Sequence, residues 1–125
     1  MEDYVLVVDD DPNVTTLVVD ALSLFGLNAQ FAVNGVDALQ KIETNPPKAI
    51  VLDLMMPGMD GFTAITRFQR NATIRHIPII ILSGIADASD QIKKLPGVVG
   101  VIRKGDFSIA TLSLLLGQAG MLFTH

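Results

Sequence analysis

Short apolar runs alternate with amphipathic stretches along this chain. Val5-Leu6-Val7-Val8, Ala49-Ile50-Val51-Leu52 and Ile79-Ile80-Ile81-Leu82 contain no polar residue, a pattern that fits strands covered on both faces. After the first run, Pro12 suits the first turn of a helix, and Leu17, Val18, Ala21, Leu22 and Phe25 recur near a 3.6 period until Gly26 stops it. Asn28 to Val33 reads as a second strand. Asn34-Gly35 is a turn into a short helix carrying Val36, Leu39 and Ile42, ended by Asn45-Pro46-Pro47. A loop from Met55 to Gly61 precedes a helix marked by Phe62, Ile65 and Phe68. Pro78 to Leu82 follows as the fourth strand, then a weaker helix over Ile85 to Leu95, a fifth strand over Val98 to Ile102, and a last helix from Phe107 to about Leu116. Repeated βα units of this kind predict an α/β fold, a doubly wound parallel sheet with helices on both faces.

Composition narrows the function classes. With 125 residues, half of them apolar, the chain is expected to form one domain over 1–125, with about 117–125 a frayed tail or the start of a linker. Its formal charge of -4, with nine Lys and Arg scattered along it, disfavours direct nucleic-acid binding. No apolar run is long enough to span a bilayer, and Met1-Glu2-Asp3 is acidic where a signal peptide would be basic, so a cytoplasmic protein is expected. No Cys and only two His exclude thiolate and multi-histidine metal centres. His76, before Pro78, reads as a surface or turn residue.

The candidate chemistry lies at the strand ends. In a βα fold the loops after strands one, three, four and five gather at the carboxyl edge of the sheet, and they hold Asp9, Asp10, Asp11, Asp53, Ser83 and Lys104. Close carboxylates repel unless a cation compensates, so the cluster predicts its own partner. Oxygen-only donors suit Mg²⁺, with Mn²⁺ as the alternative ion. Asp10 and Asp53 are expected to ligate directly, Asp9 directly or through water, and Met55 through its carbonyl. Asp11, before Pro12, has helix capping as its simpler role. Lys104 can reach Asp53 while Arg103 diverges, since consecutive side chains of an extended segment point apart. Ser83 could donate a hydroxyl to a phosphoryl oxygen, and a turn or helix-cap serine is its competing role.

Four segments, in order, resemble the signature of response-regulator receiver domains of two-component signalling: Asp9-Asp10-Asp11-Pro12, Asp53-Leu54-Met55-Met56-Pro57-Gly58-Met59-Asp60-Gly61, Ile81-Leu82-Ser83-Gly84 and Arg103-Lys104-Gly105. The resemblance implies a flavodoxin-like sheet in the order 2-1-3-4-5. It implies Asp53 as phosphoacceptor, Asp9 and Asp10 as the acidic pair serving Mg²⁺, and Ser83 and Lys104 as the hydroxyl and lysine that meet the phosphoryl group. The partner implied is a histidine kinase or histidine phosphotransfer protein, with a downstream protein or linked output domain beyond it. No turnover of an external substrate is implied, only self-phosphorylation and slow autodephosphorylation, because Met55 and Ile85 offer no polar group to orient water. An Asp-nucleophile, Mg²⁺-dependent phosphatase is the alternative, weakened because Met55 stands where such enzymes carry a second Asp. A degenerate receiver acting only as a binding module is another.

The chain departs from that family in three places. Gly105 follows the lysine where Pro is usual, predicting a differently shaped or more mobile loop. Val101 replaces the usual Tyr or Phe, so ring rotation cannot transmit the signal. The segment Ile85 to Pro96 is weakly amphipathic and short. In the last helix Phe107, Ile109, Ala110, Leu112, Leu114, Leu115 and Leu116 exceed one core stripe, so some are expected to face solvent or a partner, including a homodimer through the last helices. Met56 is expected to plug the core at the loop side.

Overall fold

A strand without polar residues needs cover on both faces, and the three such runs take the centre of the sheet. In the computed structural model, which describes residues 3–54, 61–72, 74–84 and 93–121, β1 (Val5–Val8), β3 (Ala49–Asp53) and β4 (Ile79–Ser83) are buried along their whole lengths. The mixed segments β2 (Ala29–Ala32) and β5 (Val98–Arg103) form the edges. All pairings are parallel, in the order β2-β1-β3-β4-β5. This is the flavodoxin-like arrangement expected from the sequence. β5 carries one irregularity: Ile79 pairs with Val98 but Ile80 with Gly100, so Val99 is an extra residue in the ladder.

Strand alternation sorts the core into two layers. Leu6, Val8, Ile50, Leu52 and Ile81 pack with Ala38 and Ile42 of α2 (Gly35–Thr44) and with Ile65 and Phe68 of α3 (Gly61–Arg70). Val5, Val7, Val51, Ile80 and Leu82 pack with Val18 and Leu22 of α1 (Pro12–Leu24) and with Leu112 and Leu116 of α4 (Ile109–Gln118).

The helix boundaries follow their caps. Asp11 accepts a hydrogen bond from the Asn13 amide at 2.9 Å, Pro12 opens α1, and Gly26 with φ +73° follows its end. Asn34 accepts from the Asp37 amide and starts α2. Ser108 and Thr111 form a reciprocal capping box, which starts α4 at Ile109 rather than at Phe107. Phe107 instead packs, half-buried, against the α1 and α4 side of the core. Gly100 brings α4 close to β5: a Cβ there would lie 2.6 Å from Leu115 Cδ2.

Two apolar positions read as helix stripe turn outward. Leu17 is 52% exposed and Val36 55%, because Thr15, Val18, Ala21 and Leu22 complete the buried face of α1 and Gly35, Ala38 and Ile42 that of α2. Ile109, Ala110 and Leu114 face solvent as α4's excess apolar character required. His76 is exposed in a turn. The loop from Met55, with Met56 and Met59, the side chain of Phe62, and the segment 85–92 of the weaker helix lie outside the described residues.

Tyr4, only 3% exposed, donates its hydroxyl to the Asn45 carbonyl and ties the end of α2 to the start of β1. Burial raises its pKa above the ordinary tyrosine value. Tyr4→Phe keeps the ring and removes this bond, and is expected to cost about 1 kcal/mol, read as a lower urea midpoint at unchanged slope.

Candidate functional site

The ends of β1 and β3 bring carboxylates together because these strands are neighbours in register, Val8 opposite Leu52. Asp9 and Asp53 each follow that pair, and both are 1% exposed. Asp9 is held from three sides. Its amide donates to the Ala32 carbonyl at 3.1 Å, its Oδ1 accepts from the Asp11 amide at 2.9 Å, and Thr15 Oγ1 stands 3.5 Å from its carbonyl. With Oδ1 engaged, Oδ2 is the oxygen left to face the site. Asp10 is exposed beside it, and one oxygen from each of Asp9, Asp10 and Asp53 lies within 4.8 Å of the others. Asp11 stays with its helix as cap, outside the cluster.

Lys104 arrives from the end of β5, at the start of a 3₁₀ turn over Lys104–Asp106. Its Nζ lies 3.3 Å from Asp53 Oδ2 and 3.4 Å from Asp9 Oδ2. Burial by itself would lower its pKa, but the charges of Asp53 and then Asp9, with their hydrogen bonds, outweigh burial and raise it above the ordinary lysine value. The ammonium is therefore a fixed cation at neutral pH rather than a proton shuttle. Arg103 diverges as expected and pairs with Asp106 at 3.0 Å. Gly105 stands in the turn with open space around it. Ser83 ends β4, buried, one residue beyond the partner of Asp53 in the β3–β4 register.

Three carboxylates against one ammonium leave a net charge of -2, which calls for a divalent cation. The donors are hard oxygens. Around Mg²⁺, with bonds of about 2.0–2.1 Å, ligand oxygens lie at most roughly 4.2 Å apart. The 4.8 Å spread of the three oxygens is close to that limit, so the residues fit the ion after a small closure. Met55, expected to add its carbonyl, lies outside the described residues, as does Ile85.

The residue-by-residue reading missed the surroundings of the acidic pair. A hollow of about 320 Å³ opens beside it, lined by Asp9, Asp10, Pro12, Thr15, Phe31 and Val33 among others. Thr15 gave no sequence signal, since a lone threonine in a helix is ordinary. Val101, half-buried against the α2 and α3 side of the core, lines a second hollow of about 270 Å³ between β5 and α4. Among the described residues no helix is long and apolar enough to cross a membrane.

Comparison with known proteins gives a consistent result. The family model described as the response regulator receiver domain matches residues 5–113. The DNA-binding dual master transcriptional regulator RpaA of Synechocystis is 35% identical over 89 residues, covering 71% of this chain and 37% of RpaA. The chain thus spans little more than a third of the length of that curated relative. Among solved structures, the Vibrio cholerae chemotaxis protein CheY4 superposes with a TM-score of 0.84 at 27% identity, covering 95% of this chain and 99% of CheY4. The receiver domain of the sensor histidine kinase PA1611 of Pseudomonas aeruginosa, with a magnesium ion coordinated in its active-site cleft, gives 0.79 at 25% identity, covering 96% and 99%.

Proposed function

The chain belongs to the response-regulator receiver domain family, and from that premise we propose that it is a phosphoacceptor switch in which Asp53 takes a phosphoryl group from a histidine kinase or a histidine phosphotransfer protein. The cluster of Asp9, Asp10 and Asp53 with its Lys104 ion pairs matches the phosphoacceptor and Mg²⁺ site of receiver domains. Pairing with histidine kinases or phosphotransfer proteins in general follows from membership. The observation that carries the reading is the position of Lys104 Nζ, within 3.4 Å of both Asp53 and Asp9.

In the proposed transfer a carboxylate oxygen of Asp53 attacks the phosphorus of a phosphohistidine. The P–N bond breaks, the imidazole leaves with the electron pair, and an acyl phosphate forms. Lys104 stays protonated and neutralises charge on the phosphoryl oxygens. Ser83, on the adjacent strand end, donates its hydroxyl to one of them once transfer is complete. Asp9 and Asp10, with Asp53, would hold Mg²⁺, which supplies further neutralisation and alignment of those oxygens, as the magnesium in the PA1611 receiver also suggests. The acyl phosphate is reset by hydrolysis, which makes the domain a timed switch rather than a phosphatase acting on external substrates.

Intact-mass spectra after incubation with acetyl phosphate are expected to gain one phosphoryl group with Mg²⁺ present and none after chelation with EDTA. Equal labelling under both conditions would sink the metal-assisted reading.

A further inference from the structure

The basic residues that look scattered along the sequence are gathered by the fold. Residues 1–60 carry ten acidic and two basic side chains, whereas residues 61–125 carry three acidic and seven basic. Two of those seven, Arg103 and Lys104, serve the carboxyl edge of the sheet. The other five, Arg67, Arg70, Arg75, Lys93 and Lys94, belong to the opposite, amino edge of β4 and β5.

Three contacts bring them together. Gln69, near the end of α3, donates from Nε2 to the Pro96 carbonyl. A Cβ on Gly97, at φ +86°, would lie 2.9 Å from Gln69 Nε2 and 3.7 Å from the Arg75 carbonyl. Gly97 in turn accepts from the Ile79 amide at 2.8 Å. The end of α3, the turn before β4 and the turn before β5 thus meet at one corner, and they carry the exposed Arg67 and Arg70, Arg75, and Lys93 and Lys94 respectively.

Last-turn cations offset a helix dipole, which accounts for Arg67 and Arg70 taken alone. It does not account for Arg75, which stands in a turn. Among the described residues none of the five is in an ion pair, and no acidic residue occurs between Gly61 and Gly84; Asp87 and Asp90, which precede Lys93 and Lys94 in the chain, lie outside the described residues. Asp3, on the same edge under β1, is engaged by Lys48.

We propose that this corner, at the end of the sheet away from Asp53, docks an acidic segment of a partner polypeptide. Guanidinium groups bind carboxylates in fork geometry, and three of the five cations are arginines. A short segment is favoured over a long polyanion or an anionic bilayer because the patch is confined. DNA or a membrane extending past it would meet the acidic half of the chain, whereas a few Glu or Asp residues would not.

The test uses a fluorescein-labelled ten-residue glutamate peptide and fluorescence anisotropy at low salt. The wild-type chain is expected to bind it, with affinity falling as salt rises. Arg70→Glu with Arg75→Glu should weaken binding at least tenfold. Lys41→Glu with Arg103→Glu, which changes net charge equally and lies away from this corner, beside β2 and at the carboxyl end of β5, should leave it within about twofold. Circular dichroism and acetyl phosphate labelling of the Arg70/Arg75 variant, expected to match wild type, show that fold and phosphoacceptor site are intact. No binding by wild type, equal weakening by both double variants, or stronger binding to a duplex DNA or to phosphatidylserine vesicles than to the peptide would each overturn the proposal.

Discussion

Asp53→Asn is expected to abolish the metal-dependent gain of a phosphoryl group from acetyl phosphate while leaving the fold intact. An amide matches the carboxylate in size, and at 1% exposure Asp53 has no room for a larger replacement, so Asn is the change that isolates chemistry from packing. What disappears is the anionic oxygen that attacks phosphorus. Lys104 keeps Asp9 as an ionic partner at 3.4 Å, and one of two neighbouring buried carboxylates is neutralised, so repulsion in the metal-free protein falls. Thermal unfolding without Mg²⁺ should therefore occur at or above the wild-type midpoint. Stabilisation of the variant by added Mg²⁺ should be smaller, since a charged ligand is gone. Intact-mass spectrometry and circular dichroism check the two statements separately. Labelling of the variant equal to wild type would remove Asp53 as the acceptor and turn attention to Asp9 or Asp10.

The second large effect is expected for Lys104→Met, which keeps an unbranched side chain and removes the ammonium. Lys104 lies 3.3 Å from Asp53, placed to meet charge that develops on the transferring group, and loss of one such donor typically costs about 10²–10³ in rate. Labelling by acetyl phosphate should slow by about that factor without vanishing, because the attacking carboxylate is retained. The stability effect has its own sign. Removing the cation leaves Asp9 and Asp53 buried without it, and breaking a buried pair in this way is destabilising. The lysine side chain is 31% exposed, so a discounted cost of about 1–3 kcal/mol is expected in the absence of metal. Added Mg²⁺ should recover more stability in this variant than in wild type, because the cluster it neutralises is more negative. An unchanged labelling rate together with unchanged metal-free stability would refute the role given to Lys104.

Most of the sheet could be read from the chain because its signals are local. A strand made only of Val, Ile and Leu has to be covered on both faces, which puts Val5–Val8, Ala49–Asp53 and Ile79–Ser83 in the interior. Asp11 before Pro12, and Asn34 before Gly35, set helix starts through hydrogen bonds to amides two or three residues on. The site was legible for a similar reason. Parallel strands place their carboxyl ends on one edge, so acidic and basic residues that follow separate apolar runs must meet there.

Signals that depend on packing were weaker. Phe107 falls in an apolar series that suggests a helix, yet the capping box of Ser108 and Thr111 leaves it outside α4. Leu17 and Val36 fit their helical stripes by residue type and still face solvent, since the width of the buried face is set by what the opposing strands supply. The approach of Leu115 to Gly100 involves residues on two elements, and neither carries the information alone.

The alternation of strands and helices, the parallel arrangement it implies, and the identity of the groups at the strand ends are written in the order of residues, because backbone stereochemistry repeats over two or four residues. It took the packed fold to show that Asp9 is buried and Asp10 exposed, that one ammonium bridges Asp9 and Asp53, and that the end of α3 meets the turns before β4 and β5 at one corner. Those facts depend on distances between chain segments, which are fixed when the helices close over both faces of the sheet and a few ångströms decide which charges meet water and which meet each other.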